Sequence, residues 1–188
     1  DLFVPLLSDV DRIFKRIKPD FLENDDSKYS KAIVNKKIIG ELFKELGAKA
    51  ENLHTLIANK SKVEAVPFFN VISDTWFPSI AAIVVLTHGV AKKCDEIDYY
   101  ETEEFKILNE MLLNLLMSIS KHQDKLIDGA QTDDNLLRKS MSIVFNARKS
   151  VDLMFENIKT KQANVDEPVH IFIKSACGFT DEFYKELE

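Results

Sequence analysis

The sequence predicts a single all-α domain spanning residues 1–188, built from about seven or eight helices around one buried central helix near residues 75–93. Three observations predict it. The run Trp76-Phe77-Pro78-Ser79-Ile80-Ala81-Ala82-Ile83-Val84-Val85-Leu86 carries no charge and is apolar on every side, as a helix is when other helices surround it. The segments before and after it repeat apolar residues at three- and four-residue steps, with charged residues between. There are only 5 Gly and 5 Pro, too few for the turns of a β-sandwich or barrel of this length. The central run is also shorter than the ~20 apolar residues a bilayer crossing needs, so no transmembrane segment is expected.

The first helix is expected over residues 2–18. Phe3, Leu6, Leu7, Val10, Ile13, Phe14 and Ile17 form its stripe, and Pro19 stops it. An acidic loop, Asp20 to Asp26, follows; Glu23-Asn24-Asp25-Asp26 lacks the glycine and terminal glutamate of a calcium-binding loop. The second helix covers residues 27–46 and ends at Gly47, which suits a left-handed cap. A third, from Ala48 to about Asn59, carries Leu53, Leu56 and Ile57. Pro67 starts a short helix, since proline fits a first turn and clashes later. Asp74 or Thr75 is expected to cap the central helix, with Pro78 in its first turn.

After an acidic connector, Thr102 caps the next helix and Glu103 and Glu104 favour its positive end. Its stripe is Phe105, Leu108, Leu112, Leu115, Leu116 and Ile119, and Asp128-Gly129 closes it. Thr132 caps a long helix to about Lys159, with Leu137, Met141, Val144, Phe145, Val151, Met154, Phe155 and Ile158 inward. Asn164 or Asp166 caps a final helix, Pro168 to Cys177. Gly178 is expected to interrupt it, and Thr180 to cap a last short turn bearing Phe183, Tyr184 and Leu187. In this register Ile80, Ile83, Val84 and Leu86 are fully buried. Phe105, Leu112, Leu116, Phe145 and Phe155 face the core, while Lys106, Asn109, Lys139 and Lys149 face water.

Composition narrows the function. The formal net charge is −6. The cations are scattered and no basic stripe with interleaved aromatics occurs, which argues against nucleic acid as a partner. Phe is unusually common, at 13 copies. These rings suit a bulky core, and also the wall of a pocket for a lipid or another apolar ligand. If such a pocket exists, Phe68, Phe69, Trp76, Met111, Met154 and Phe172 are its expected walls. They are bulky or polarisable and spread over five expected segments.

No Gly-x-Ser-x-Gly elbow and no Gly-rich phosphate loop is present. Cys94 follows Lys92 and Lys93, more simply a helix-dipole complement than an activated thiol. The residues point away from an enzyme and call for no cofactor. One metal-like pattern stands out. Glu51 with His54, and Glu167 with His170, are three apart and share helix faces, as in di-metal carboxylate oxidoreductases. Glu41, Glu45 and Glu110 are possible further ligands. Cys94 and Cys177 could form one bridge, or be two buried thiols. That bridge and the start at Asp1 lean towards an exported, processed protein, while the lone sequon Asn59-Lys60-Ser61 adds little.

Trp76, the run Ile80 to Leu86 and Gly89-Val90-Ala91-Lys92-Lys93-Cys94 resemble in outline the buried central helix of Bcl-2-like proteins, over about twenty residues. Phe77 and Pro78 stand where that family's motif has glycine and arginine. The resemblance implies a membrane-active or groove-binding helical regulator, although the missing arginine is the residue that engages a partner helix in the family. The leading expectation is a non-enzymatic helical protein that binds through a hydrophobic pocket or groove, its partner an apolar small molecule or a protein helix.

Overall fold

Pro78 shapes the central helix in a way the cap expectation did not foresee. The computed structural model describes residues 45–46, 48–49, 51–53, 55–59, 66–93, 98–128, 134–160 and 166–188. In it the chain is helical from Val66 to Lys93: α1 (Val66–Val71), a π turn (Ile72–Trp76) and α2 (Phe77–Lys93) run into one another. Asp74 and Thr75 therefore do not cap α2; they lie inside the π turn. Proline has no N–H, and its ring collides with the carbonyl four residues back. In the wider turn just before Pro78 the Phe77 N–H bonds the Ile72 carbonyl, five residues back rather than four. Helix α1 begins with Pro67 in its first turn, as expected.

After a 3₁₀ turn (Tyr99–Glu101) come α3 (Glu103–Asp128), α4 (Asp134–Lys159) and α5 (Asp166–Leu187). The described residues contain no strand, and these five helices pack together as an all-α bundle. The described residues between 45 and 59 are helical too. The expected first helix and most of the second lie outside the described residues.

Thr102 caps α3 as its sequence implies. Its Oγ1 accepts the Phe105 N–H at 3.3 Å, and its carbonyl accepts the Lys106 N–H at 3.2 Å. Neighbouring helices pack in chain order, α2 on α3, α3 on α4 and α4 on α5. Helices α3 and α4 have 26 residues each, about 39 Å of length. The residues joining them reach at most about 20 Å, so the pair runs antiparallel. The Arg148 guanidinium meets Gln123 Oε1 at 3.5 Å across the pair.

Helix α5 is continuous through Gly178, so the expected interruption does not occur. Thr180 does not cap a new turn; its hydroxyl donates to the Cys177 carbonyl at 2.7 Å within the helix. A helix interior tolerates glycine at about 1 kcal/mol, a small loss beside the burial of Ile173, Ala176, Phe179 and Phe183 on either side.

The core has Trp76, Phe77, Ile83, Leu108, Leu112, Met154 and Phe172 at its centre, with Ile80 and Val84 also buried. Leu86 is only partly buried, against the expectation that it lies fully inside, while Phe105, Leu116 and Phe155 pack against the core from its edge. Lys106 and Lys149 face water as expected. Asn109 and Lys139 are half-buried, and Lys139 pairs with Glu182 of α5 at 3.2 Å.

The largest departure is on α4. Phe145 is 68% exposed and Met141 39% exposed, although both belong to the expected inward stripe. Val144 and Val151 face the core as expected, but Ser140, Ile143, Ala147 and Ser150 join them there in place of Met141 and Phe145. Helices that approach closely favour small residues at the contact, and Ser140, Ala147 and Ser150 supply them. Hydrogen bonds make this face tolerable for polar groups. The Ser150 hydroxyl donates to the Asn146 carbonyl at 2.7 Å, and Asn146 Nδ2 donates across to Ser175 Oγ on α5 at 3.0 Å.

Candidate functional site

Four of the six expected pocket residues meet in one aromatic cluster, where α1, the π turn, α3 and α5 converge. The Trp76 ring lies 6.0 Å edge-on to Phe68 and 5.9 Å from Phe172. Phe172 also packs on Phe77 at 5.5 Å. Phe179, which the sequence reading did not single out, touches both Phe68 at 6.2 Å and Phe69 at 6.5 Å. Such ring pairs contribute about 0.5–1.5 kcal/mol each beyond area burial. Phe68, Phe69, Trp76, Met154 and Phe172 are buried. Met111 is half-buried on α3 at the edge of the core.

The cluster has one polar thread. Buried Trp76 donates its indole N–H to Ser118 Oγ at 2.9 Å. One turn along α3, His122 Nδ1 lies 2.9 Å from the Ser118 carbonyl. A carbonyl only accepts, so Nδ1 carries the proton. The His122 ring packs on Trp76 and Phe68, each at 6.0 Å. This arrangement satisfies buried donors and orients rings. It sets no nucleophile against a base, because the Ser118 hydroxyl oxygen faces an indole N–H and the imidazole faces a backbone carbonyl.

A second cluster joins residues 45–59 to α5. The Lys49 ammonium lies 2.9 Å from Asp181 and 3.4 Å from Glu45. The Leu53 N–H donates to the Tyr184 hydroxyl at 3.0 Å. Burial alone would lower the Lys49 pKa, but the hydrogen bond and charge of Asp181 outweigh it and the pKa is raised. Burial pushes the neighbouring Cys177 thiol up to about 11, against the pull of Lys49. Tyr184 is raised for the same reason, against the hydrogen bond from Leu53. A thiol held protonated in this way is a poor nucleophile. Cys177 is a buried free thiol, and Cys94, its expected partner, lies outside the described residues.

Of the expected metal ligands, Glu51, Glu167 and His170 are exposed, and His54 lies outside the described residues. Among the described residues no group of three or more His, Cys, Asp or Glu is arranged to hold a metal ion. No described helix is long and apolar enough to cross a membrane.

The feature the sequence reading missed is on the outside. The outer surfaces of α3 and α4 expose Leu113 (47%), Met117 (64%), Ile127 (61%) and Phe145. The Gln123–Arg148 contact sets Ile127 level with Phe145, one turn along α3 and one turn back along α4. An open depression of about 540 Å³ on the same side of α3 is lined by Leu116, Met117, Ser120, Lys121, Asp124 and Lys125. None of the six expected pocket residues borders it. A signal for this face does exist in the sequence: α4 has more apolar positions than one inward stripe can hold, alongside Ser140, Ala147 and Ser150.

No family model matches the chain, and neither a curated protein nor a solved structure shows detectable similarity to it.

Proposed function

We propose that this chain is a non-enzymatic helical binding protein whose contact surface is the outer apolar face of α3 and α4. One observation carries the reading: Phe145, one of the two phenylalanines of α4, stands in water beside Met141 and level with Ile127. Scattered single apolar residues are ordinary on a surface, whereas a group of this kind marks contact sites. Arg138 and Arg148 flank it, both exposed, and arginine with aromatic residues is over-represented where binding energy concentrates. The interior supports the same choice. Four of the six expected pocket residues pack in one aromatic cluster, which favours a groove or face over an internal ligand.

The test is an apolar fluorescent dye such as anilinonaphthalene sulfonate, titrated onto the folded protein. Native protein is expected to bind it. Phe145→Ser and Ile127→Ser are each expected to cut the signal at least about twofold, with melting temperatures within roughly 2–4 °C of native because both side chains are exposed. Dye binding unchanged by both substitutions rules the face out.

A further inference from the structure

We infer that the partner of this face is a second copy of the chain, seated across α4 by an antiparallel two-fold contact centred on Phe145. The inference rests on the reading of the face proposed above. It follows from a pattern on the outer side of α4. Arg138 lies seven residues before Phe145 and Asp152 seven residues after it. Seven residues is two helical turns, so all three share one side of the helix, and all three are exposed.

A two-fold contact sets the same surface against itself, so a residue at one distance from the axis meets the residue at the opposite distance. With the axis at Phe145, the two Phe145 rings meet at the centre. About 10 Å to either side, Arg138 of each copy meets Asp152 of the other. Positive charge meets negative charge twice by a single symmetry. A shift by one turn breaks the match: one way it sets Phe145 against Lys149, and the other way it sets Phe145 against Met141 but Arg138 against Arg148. Among the described residues neither Arg138 nor Asp152 has an ion-pair partner within its own chain. In the same arrangement Met141 meets the aliphatic stem of Lys149, which suits a long cationic side chain at an interface. Ile127 extends the apolar centre towards α3.

Size sets the strength. The exposed parts of Phe145, Met141 and Ile127 amount to on the order of 300 Å² on each copy, and the flanking stems enlarge this towards the lower limit of specific interfaces. The expected dissociation constant is therefore on the order of micromolar rather than nanomolar.

The experiment is sedimentation velocity on the full chain from about 1 µM to about 1 mM, with circular dichroism confirming that each variant is folded. The native chain is expected to shift from monomer to dimer across that range. Phe145→Ser is expected to weaken the dimer at least about tenfold. Arg138→Asp and Asp152→Arg each place like charges together twice and are expected to weaken it by a similar factor. The double variant Arg138→Asp/Asp152→Arg restores both pairs and is expected to recover most of the native affinity. A native chain that stays monomeric throughout, a dimer indifferent to Phe145→Ser, or a double variant no better than either single one overturns the inference. If the chain is monomeric while dye binding still depends on Phe145 and Ile127, self-association fails and the face stands. If dye binding is indifferent as well, both fail.

Discussion

Replacing Gly178 with alanine tests the continuity of α5, the element that carries Phe172 and Phe179 of the aromatic cluster. Gly178 is exposed, and a Cβ built on it meets nothing within 4 Å. Alanine there therefore gains no packing and suffers no clash. What remains is the backbone term. Glycine in a helix interior is about 0.8–1.0 kcal/mol less favourable than alanine, through its greater freedom in the unfolded chain. The expected gain is thus close to 1 kcal/mol, which in a chain of this size raises the melting temperature by about 2–4 °C. Urea unfolding followed by circular dichroism should show the midpoint rising with the m-value unchanged, because the area exposed on unfolding is the same. Gly178→Pro, by contrast, should cost about 3 kcal/mol or more, since it removes a helix hydrogen bond and clashes with the preceding turn. If alanine destabilises the chain, residue 178 adopts a conformation that only glycine tolerates, and the uninterrupted helix is refuted. The glycine would then be doing what its position in the sequence suggested, ending one helix before another begins.

Two further perturbations address the interior. Ser118→Ala leaves the buried Trp76 indole N–H without its acceptor and should cost about 1–3 kcal/mol. Trp76 is the single tryptophan, so its own fluorescence reports the unfolding, and an unchanged midpoint would show that the bond contributes nothing. Alkaline pH should destabilise the junction between residues 45–59 and α5. Lys49, Cys177 and Tyr184 all hold their protons more tightly when folded. Their contribution is fully present below the unfolded thiol pKa near 8.5 and is lost as pH rises through the folded values. Cys177, raised to about 11, should alone give a slope of at most about 1.4 kcal/mol per pH unit above pH 8.5. Melting temperatures between pH 7 and about 11 should fall less steeply in Cys177→Ala, and an identical fall in both proteins would remove the thiol from the account.

The fold class was legible in the sequence, because helix periodicity and a charge-free central run are local patterns that survive any arrangement of the helices. The α3 stripe of Leu108, Leu112, Leu115 and Ile119 is buried as its spacing demands, and Thr102 caps that helix as its residue type suggests. Glu103 and Glu104 stand in the first turn, where the helix dipole favours them. The buried aromatic residues of the candidate pocket were also legible one by one, as bulky side chains on apolar stripes. Their meeting around Trp76 was not, because Phe68 and Phe179 are brought together only by the packing of α1 against α5.

Where the sequence reading failed, a local rule met a tertiary constraint. Pro78 reads as a helix start, yet the chain is already helical before it, through a π turn that holds the buried Trp76. Gly178 reads as a helix end, yet the helix continues through it and carries Cys177 and Phe179, one on each side of the glycine, into the core. On α4 the sequence offers more apolar residues than one inward face accepts. Hydrophobicity alone favours Phe145 for the core; close approach to the neighbouring helices favours Ser140, Ala147 and Ser150. The tertiary structure decided between them because interhelical distance is a property of two surfaces together, and a single helix's sequence does not contain it. That decision left Phe145 outside, level with Ile127, and created the surface on which the functional reading rests.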